Sequence, residues 1–337
     1  FSRIGKKALF IFAAVCYNER VRRPAEKGRD IPMGFLHLLE QLRTPVLTAI
    51  LSAITYCGDE LFFMVLALTV FWCISKREGY YLLLTGFLGT VVSQWLKLAF
   101  RIPRPWVLDP SLTLVEAARA GATGYSFPSG HTQNIVGTMT CLLLWTKRTW
   151  VRIAAAVLLV LVPFSRMYLG CHTPLDVGVA AVLAVAIAAG LYPLLRRTER
   201  NPRILDRLLL GALVLTLCYW AYVTFARFPA DVDPDHLYEG TKNAYTLLGC
   251  LIGLLIAHAF DEKKLHFSVE AVWWAQLLKV GLGLLLILGV RVGLKPVLNA
   301  VLPVYPAAAV RYCLMVVFAG CVWPLTFPWF ARLGRSE

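Results

Sequence analysis

Long apolar segments alternate with short polar connections along most of the chain. Ten segments have the length and composition of membrane-spanning helices, although three of them need their flanking residues to reach that length. The predicted spans are 45–57, 61–74, 80–100, 132–145, 151–167, 175–195, 208–225, 245–260, 272–290 and 308–330. Residues 34–43 have the apolar spacing of an amphipathic helix at the membrane interface. The pattern predicts an all-α, polytopic membrane helix bundle.

Composition excludes the soluble and disordered classes of protein. Of the 337 residues, 58% are hydrophobic and 16% are charged, whereas a soluble domain has about 45–50% and about 25%. If the N-terminus is inside and each predicted span crosses the membrane, the connections on the side of both termini contain more than twice as many Lys and Arg residues as the connections on the other side. This bias predicts cytoplasmic termini, so the net charge of +14 calls for no nucleic-acid partner. The cysteines have neither metal-ligand nor disulfide spacing.

Three regions are expected along the chain. Residues 1–32 are predicted to be a tail of upstream or non-native sequence, because the first methionine is Met33. Residues 33–200 are predicted to form a core, and 201–337 a C-terminal transmembrane region after a charged linker. Within that last region, Lys279 is expected to reach towards the membrane surface, with a buried functional charge as the alternative.

Three polar segments stand out, and alternation of the spans brings all of them to one side of the membrane. They are Lys97–Trp106, Tyr125–Thr132 and Ser165–Asp176. Arg104 and Arg166 can each bind a phosphate through two hydrogen bonds, and Lys97 adds a point charge. Together these cations predict an anion-binding site.

The second and third segments add groups that can react with a bound phosphate. Ser129 and Gly130 begin a predicted helix, whose N–H groups face an anion. Thr173 is predicted as a helix cap and Pro174 as the first helical residue. Asp176 then lies in the first turn and reaches back to the neighbouring histidine. The site residues that we predict are His172, His131, Asp176, Lys97, Arg104, Ser129, Gly130 and Arg166.

These segments resemble the three motifs of the type-2 phosphatidic acid phosphatase superfamily, K-x(6)-R-P, P-S-G-H and S-R-x(5)-H-x(3)-D. The resemblance covers residues 45–195 and implies a six-helix core, with about four further spans that loosely resemble glucose-6-phosphatase and sphingosine-phosphate phosphatase layouts. It implies that His172 becomes a phosphohistidine, and that His131 protonates the leaving oxygen and then activates water. It implies neither a metal nor a cofactor.

The expected function is hydrolysis of a lipid phosphate or diphosphate, such as phosphatidic acid, a polyprenyl diphosphate or a sphingoid-base phosphate. A sugar-phosphate phosphatase and a lipid transporter built on a phosphatase core are the alternatives. The expected location is the plasma membrane, with the site on its extracytoplasmic face, and the sequence leaves the oligomeric state open. Asp59 and Glu60 either cap the second span or orient a cation of the site.

Overall fold

The computed structural model describes residues 32–230 and 232–333. Apart from Pro32, the predicted N-terminal tail lies outside these residues. Every regular element in the described part is helical. The α-helices are α1 (Gly34–Gln41), α2 (Pro45–Thr55), α3 (Glu60–Cys73), α4 (Lys76–Phe100), α5 (Pro105–Leu108), α6 (Gly130–Trp145), α7 (Thr149–Tyr168), α8 (Pro174–Arg197), α9 (Arg203–Phe225), α10 (Pro234–Phe260), α11 (Trp273–Val301), α12 (Val304–Val317) and α13 (Phe327–Arg332).

Each predicted span contains a helix, but fewer than ten of these are full-length spans. Within the described ranges, seven helical stretches are long and apolar enough to cross a membrane, and α2 with α3 makes an eighth if the two are one bent span. The α6 helix has 16 residues, which corresponds to about 24 Å and is shorter than the hydrocarbon core of about 30 Å. The polytopic all-α prediction is confirmed, with a smaller count of complete spans.

The α2 and α3 helices cross the bundle once, although the sequence predicted two crossings. They are bent by only 51° at the break between them. At the start of α2, the backbone N–H of Thr44 donates to Tyr168 Oη at the end of α7 (3.2 Å). Near the other end of α3, Phe71 packs on Tyr80 near the start of α4, with ring centroids 5.2 Å apart.

The single crossing corrects the predicted position of the N-terminal helix. We call the end of the bundle that carries Lys97, Arg104 and His172 the motif end. The α1 helix lies at this end, because His37 Nε2 is 2.8 Å from Asp109 Oδ2 in the connection that follows α5. The prediction on the opposite side was wrong because each of the first two apolar segments is only half a span.

Polar contacts join the C-terminal helices to the rest of the bundle at the end opposite the motif end. Lys76 Nζ donates to both carboxylate oxygens of Asp261, at 2.9 and 2.7 Å. Lys279 is fully buried and donates to the carbonyl oxygens of Trp72 (2.9 Å) and Val269 (3.2 Å). The expectation that Lys279 reaches the membrane surface was wrong, because these carbonyls provide partners inside the protein.

Candidate active site

His172 lies in the short connection between α7 and α8, where two local features fix its position. Gly170 turns the chain with φ +80°, and a Cβ on this residue would lie 2.8 Å from the carbonyl oxygen of Thr113. Thr173 then caps α8 and forms a capping box with Asp176. The predicted cap is confirmed, and it holds His172 beside the first turn of the helix.

The hydrogen bonds of His172 define which ring nitrogen is free to react. Nε2 lies 2.9 Å from Nη1 of Arg104. Because a guanidinium can only donate, Nε2 accepts this bond and carries a lone pair. The proton of the neutral ring is then on Nδ1, which faces Ser126 and Asp176.

Ser126 lies between His172 and Asp176, a contact that sequence reasoning missed. Its Oγ is 3.3 Å from His172 Nδ1 and donates to Asp176 Oδ2 at 2.6 Å. The direct separation of Nδ1 and Oδ2 is 3.6 Å, longer than a hydrogen bond. Asp176 therefore reaches His172 mainly through a hydroxyl group. The signal in the sequence was a serine beside the P-S-G-H motif, in the same polar segment.

Three cations surround the histidine, and each is held by neutral oxygens. All three cations are buried: Lys97 is 7% exposed, Arg104 5% and Arg166 1%. Arg104 donates to three backbone carbonyls, those of Gly124, Cys171 and Thr123. Lys97 Nζ donates to the carbonyl of Tyr125. Fixed carbonyls orient the positive groups without neutralising them.

Arg166 is held at two points, and its Nε–H is left for another partner. Its Nη1 donates to Thr55 Oγ1 (3.0 Å) and its Nη2 to the Gly121 carbonyl (3.4 Å). Its Nε–H is buried and has no hydrogen-bond partner among the described residues. A buried donor of this kind costs free energy until a ligand accepts from it.

Within the part of the chain that the structure describes, the cations of the site outnumber the carboxylates beside them. Asp176 is fully buried beside the three cations, whereas the side chain of Asp59 is 37% exposed. Burial, together with the guanidinium groups of Arg104 and Arg166, lowers the pKa of His172 well below its ordinary value. The ring is therefore neutral at physiological pH. A neutral imidazole within a cluster of cations is suited to an anionic ligand.

The start of α6 supplies backbone donors and a second histidine. Ser129 is the helix cap, and its Oγ accepts from Thr132 N (3.4 Å) and Thr132 Oγ1 (3.0 Å). Gly130 begins the helix, and apart from its own turn no atom of the described residues lies within 4 Å of the position of a Cβ there. His131 follows, and its Nε2 is 2.9 Å from Asp59 Oδ1. The predicted helix N-terminus is confirmed, and it has open space beside it.

All eight predicted site residues lie at the motif end, where the three polar segments meet. The Arg104–His172 bond and the bond from Ser129 N to the Asp176 carbonyl (3.2 Å) tie the segments together. Two further residues contribute that the sequence did not assign, namely Ser126 and Thr55. Asp59, which the sequence offered as a cap or as a group that orients a cation of the site, contacts His131. Among the side chains in the described ranges, no group of three or more His, Cys, Asp or Glu could hold a metal ion.

Comparison with known families fits this arrangement. The profile described as "PAP2 superfamily" matches residues 78–200, and a second profile, "PAP2 superfamily phosphatase, transmembrane extension", matches residues 245–335. The chain carries a PAP2 superfamily domain with its transmembrane extension. The resemblance to the type-2 phosphatidic acid phosphatases is confirmed, and the PAP2 domain contains all eight predicted site residues. The boundary near residue 200 stays a prediction.

Several curated proteins and one solved structure are similar to this chain. A probable sphingosine-1-phosphate phosphatase of Dictyostelium discoideum is 25% identical over 246 residues, which is 69% of this chain and 58% of the relative. An undecaprenyl-diphosphatase of Sulfolobus acidocaldarius is 32% identical over 122 residues, 36% of this chain and 57% of the relative. The chain thus spans rather more than half the length of these relatives.

A Bacillus subtilis undecaprenyl-diphosphatase is 30% identical over 114 residues, 34% of this chain and 55% of the relative. The crystal structure of Aquifex aeolicus LpxE is similar, with 25% identity and a TM-score of 0.44. The match covers 48% of this chain and 96% of that structure.

Proposed function

We propose that the protein is a membrane phosphatase that hydrolyses a lipid phosphate or diphosphate through a phosphohistidine at His172, without a metal ion. The observation that carries this proposal is the contact of Arg104 Nη1 with His172 Nε2 at 2.9 Å. It places a nucleophilic lone pair beside a guanidinium that can bind a phosphate oxygen. Lys97 and the free Nε–H of Arg166 supply further positive groups for the other oxygens.

In the proposed first step, the phosphate replaces the imidazole as the acceptor of the Arg104 bond. The lone pair of His172 Nε2 attacks phosphorus, and the bond to the leaving oxygen breaks with its electron pair going to that oxygen. The imidazole becomes positively charged, and its Nδ1–H is stabilised by Ser126 and Asp176. Cations fixed by carbonyls stabilise the charge that develops on the equatorial oxygens without having to reorganise.

In the proposed second role, His131 acts as the acid and base of the cycle. As an imidazolium it gives its proton to the leaving oxygen. It then takes a proton from a water molecule that attacks phosphorus, and the electron pair of the P–N bond returns to His172. Placing the acid and the nucleophile on different segments lets both act on the same phosphate from opposite sides, as in-line transfer requires.

The relatives support a lipid rather than a soluble ester as the substrate. Those named above are a sphingosine-phosphate phosphatase and two undecaprenyl-diphosphatases. The site also lies at one end of a membrane bundle, where headgroups are found. Of these relatives, the Dictyostelium protein matches the largest share of this chain, 69%, which favours a lipid monophosphate as the first compound to test.

A substrate panel tests the function directly. Purified protein in mixed micelles is given phosphatidic acid, sphingosine 1-phosphate, a polyprenyl diphosphate and glucose 6-phosphate, and phosphate release is measured. We expect release from at least one lipid, insensitivity to EDTA, inhibition by vanadate and no release by the His172→Ala variant. Release from glucose 6-phosphate alone would make the protein a sugar-phosphate phosphatase. No release from any ester would contradict the proposal and favour the transporter.

We propose that the motif end faces away from the cytoplasm of the plasma membrane. The connections at the opposite end are rich in basic residues, as cytoplasmic connections are. They contain Lys147, Arg148, Arg196, Arg197, Arg200, Lys263 and Lys264.

Single cysteines in a cysteine-free background test this orientation. Leu38→Cys and Ala120→Cys at the motif end should react with an impermeant thiol reagent from outside intact cells, whereas Asn201→Cys should not. Labelling of Asn201→Cys alone would reverse the orientation. Labelling of Ala120→Cys without Leu38→Cys would contradict the single crossing by α2 and α3.

A further inference from the structure

The break between α2 and α3 is packed against the first turn of α6 rather than lying free at a surface. A Cβ on Gly58 would lie 2.9 Å from the Cβ of His131 and 3.1 Å from its carbonyl oxygen. Asn134, one turn later on α6, donates from Nδ2 to the Gly58 carbonyl at 3.3 Å. Only glycine permits this approach, so the break has a fixed position relative to His131.

Asp59 follows this glycine, and its carboxylate does not act as a helix cap. It occupies the cap position of α3 but makes no side-chain capping bond. Its Oδ1 instead lies 2.9 Å from His131 Nε2. One turn earlier in the chain, Thr55 Oγ1 accepts from Arg166 (3.0 Å). The bent span therefore contacts two groups of the site that belong to α6 and α7.

We propose that Asp59 is a positioning residue for His131, holding its ring in the tautomer in which Nδ1 exchanges the proton with substrate and water. This inference rests on the proposed function. An ionised carboxylate can only accept a hydrogen bond, so Nε2 carries a proton in both charge states of the ring. The second proton of the imidazolium is then on Nδ1, from which it moves to the leaving oxygen as the P–O bond breaks. Nδ1 regains a proton from the attacking water.

The charge of Asp59 also matters, because the other charged groups around His131 oppose its protonation. Burial is the largest factor that disfavours the imidazolium of His131, and the cations Arg166 on α7 and Arg104 after α4 add to it. Asp59 is the group in the described part of the site that favours it. Without the carboxylate, His131 would lose its acidic proton at lower pH.

Asp59→Asn tests the role of the charge, since it keeps an oxygen that can accept from Nε2. We expect kcat to fall on the order of 10- to 100-fold with KM nearly unchanged, less than the 10²–10⁴ typical of the acid–base group itself. The alkaline limb of the kcat profile should move to lower pH, and Asp59→Glu should restore part of the rate. Glu60→Gln is the matched control and should behave as the wild type.

A wild-type pH profile in Asp59→Asn would overturn the proposal, since a purely structural role would not move the limb selectively. A readout without substrate separates this outcome from failure of the proposed function. In protein labelled with ¹⁵N-histidine, the His131 signals, assigned with His131→Gln, should show a proton on Nε2 in the neutral wild-type ring. A proton on Nδ1 in that ring would overturn the inference even in an active enzyme.

Discussion

The PAP2 domain and its transmembrane extension both bury charged side chains, but they use them differently. In the extension, buried Lys279 donates to the carbonyls of Trp72 and Val269, and Asp261 is paired with Lys76. In the PAP2 domain, the buried cations outnumber the buried carboxylate beside them. Burial of charge thus marks structural contacts as well as sites, and a cluster of three buried cations, Lys97, Arg104 and Arg166, distinguishes the site.

The largest effect of a single substitution outside the nucleophile is expected at Asp176. Asp176→Asn keeps the size of the side chain but cannot accept from Ser126 and stabilise the charged ring of His172 in the same way. We expect kcat to fall on the order of 10⁴-fold, as for other carboxylates that orient a catalytic histidine.

The control for Asp176→Asn is the melting temperature, which also reports the loss of the α8 capping box. A loss of activity that parallels a loss of folded protein would contradict an orienting role. Ser126→Ala should show a smaller effect in the same direction, because the carboxylate remains and lies 3.6 Å from the ring nitrogen.

The next largest effect is expected where a cation contacts the substrate. Arg104→Ala should lower kcat about 10²–10³-fold, the range for loss of one donor to a developing anion. Inhibition by vanadate should weaken in parallel, because both ligands use the same donors. Arg101→Gln is the matched control. Arg101 lies at the same helix end, and within the described residues its side chain donates to the Leu98 carbonyl alone (3.4 Å).

Equal effects of the two arginine substitutions would show that activity depends on the overall positive charge near the site and not on a specific contact of Arg104 with the substrate. Kinetics and vanadate titration of both variants, in the same micelles as the wild type, distinguish these outcomes.

In the extension, loss of a buried cation should affect stability and spare catalysis. Lys279→Met leaves two buried carbonyls without their donor, which costs about 1–3 kcal/mol each when a group stays unpaired. We expect a lower melting temperature and a kcat per folded molecule within about twofold of wild type. Such a change in kcat corresponds to a change in activation free energy well below the about 1.4 kcal/mol of a tenfold effect. A large fall in kcat with unchanged melting would give Lys279 a functional role instead.

The smallest expected effect is a shift in pH dependence. Only neutral His172 can attack, and its pKa is lowered by burial and by the two arginines. The acid-side midpoint of kcat/KM should therefore lie below about 6.5, the ordinary value, after correction for ionisation of the substrate. Arg104→Ala removes one cause, so its midpoint should move upwards. A midpoint that does not move would mean that another group controls this limb.

The sequence predicted the helical bundle, and the eight residues that it proposed for a site lie together at the motif end, because both depend on local patterns. Apolar length defines a span, and Thr173 with Asp176 forms a cap from nearest neighbours. The sequence did not predict that α2 and α3 form one bent crossing, since each segment has the composition of a short span. The contacts of Asp59 and Ser126 with the histidines depend on packing between distant segments, which no spacing records.

The central claim, that the Nε2 lone pair of His172 receives the phosphoryl group, is tested most directly by trapping the intermediate. Protein is mixed with ³²P-labelled substrate and quenched in alkali, and the labelled residue is identified by mass spectrometry. His131→Gln should increase the trapped fraction where hydrolysis of the intermediate is slowed more than its formation. We predict an acid-labile, alkali-stable label on Nε2 of His172 that is absent in His172→Ala. A label on another residue, or turnover by His172→Ala, would contradict the account.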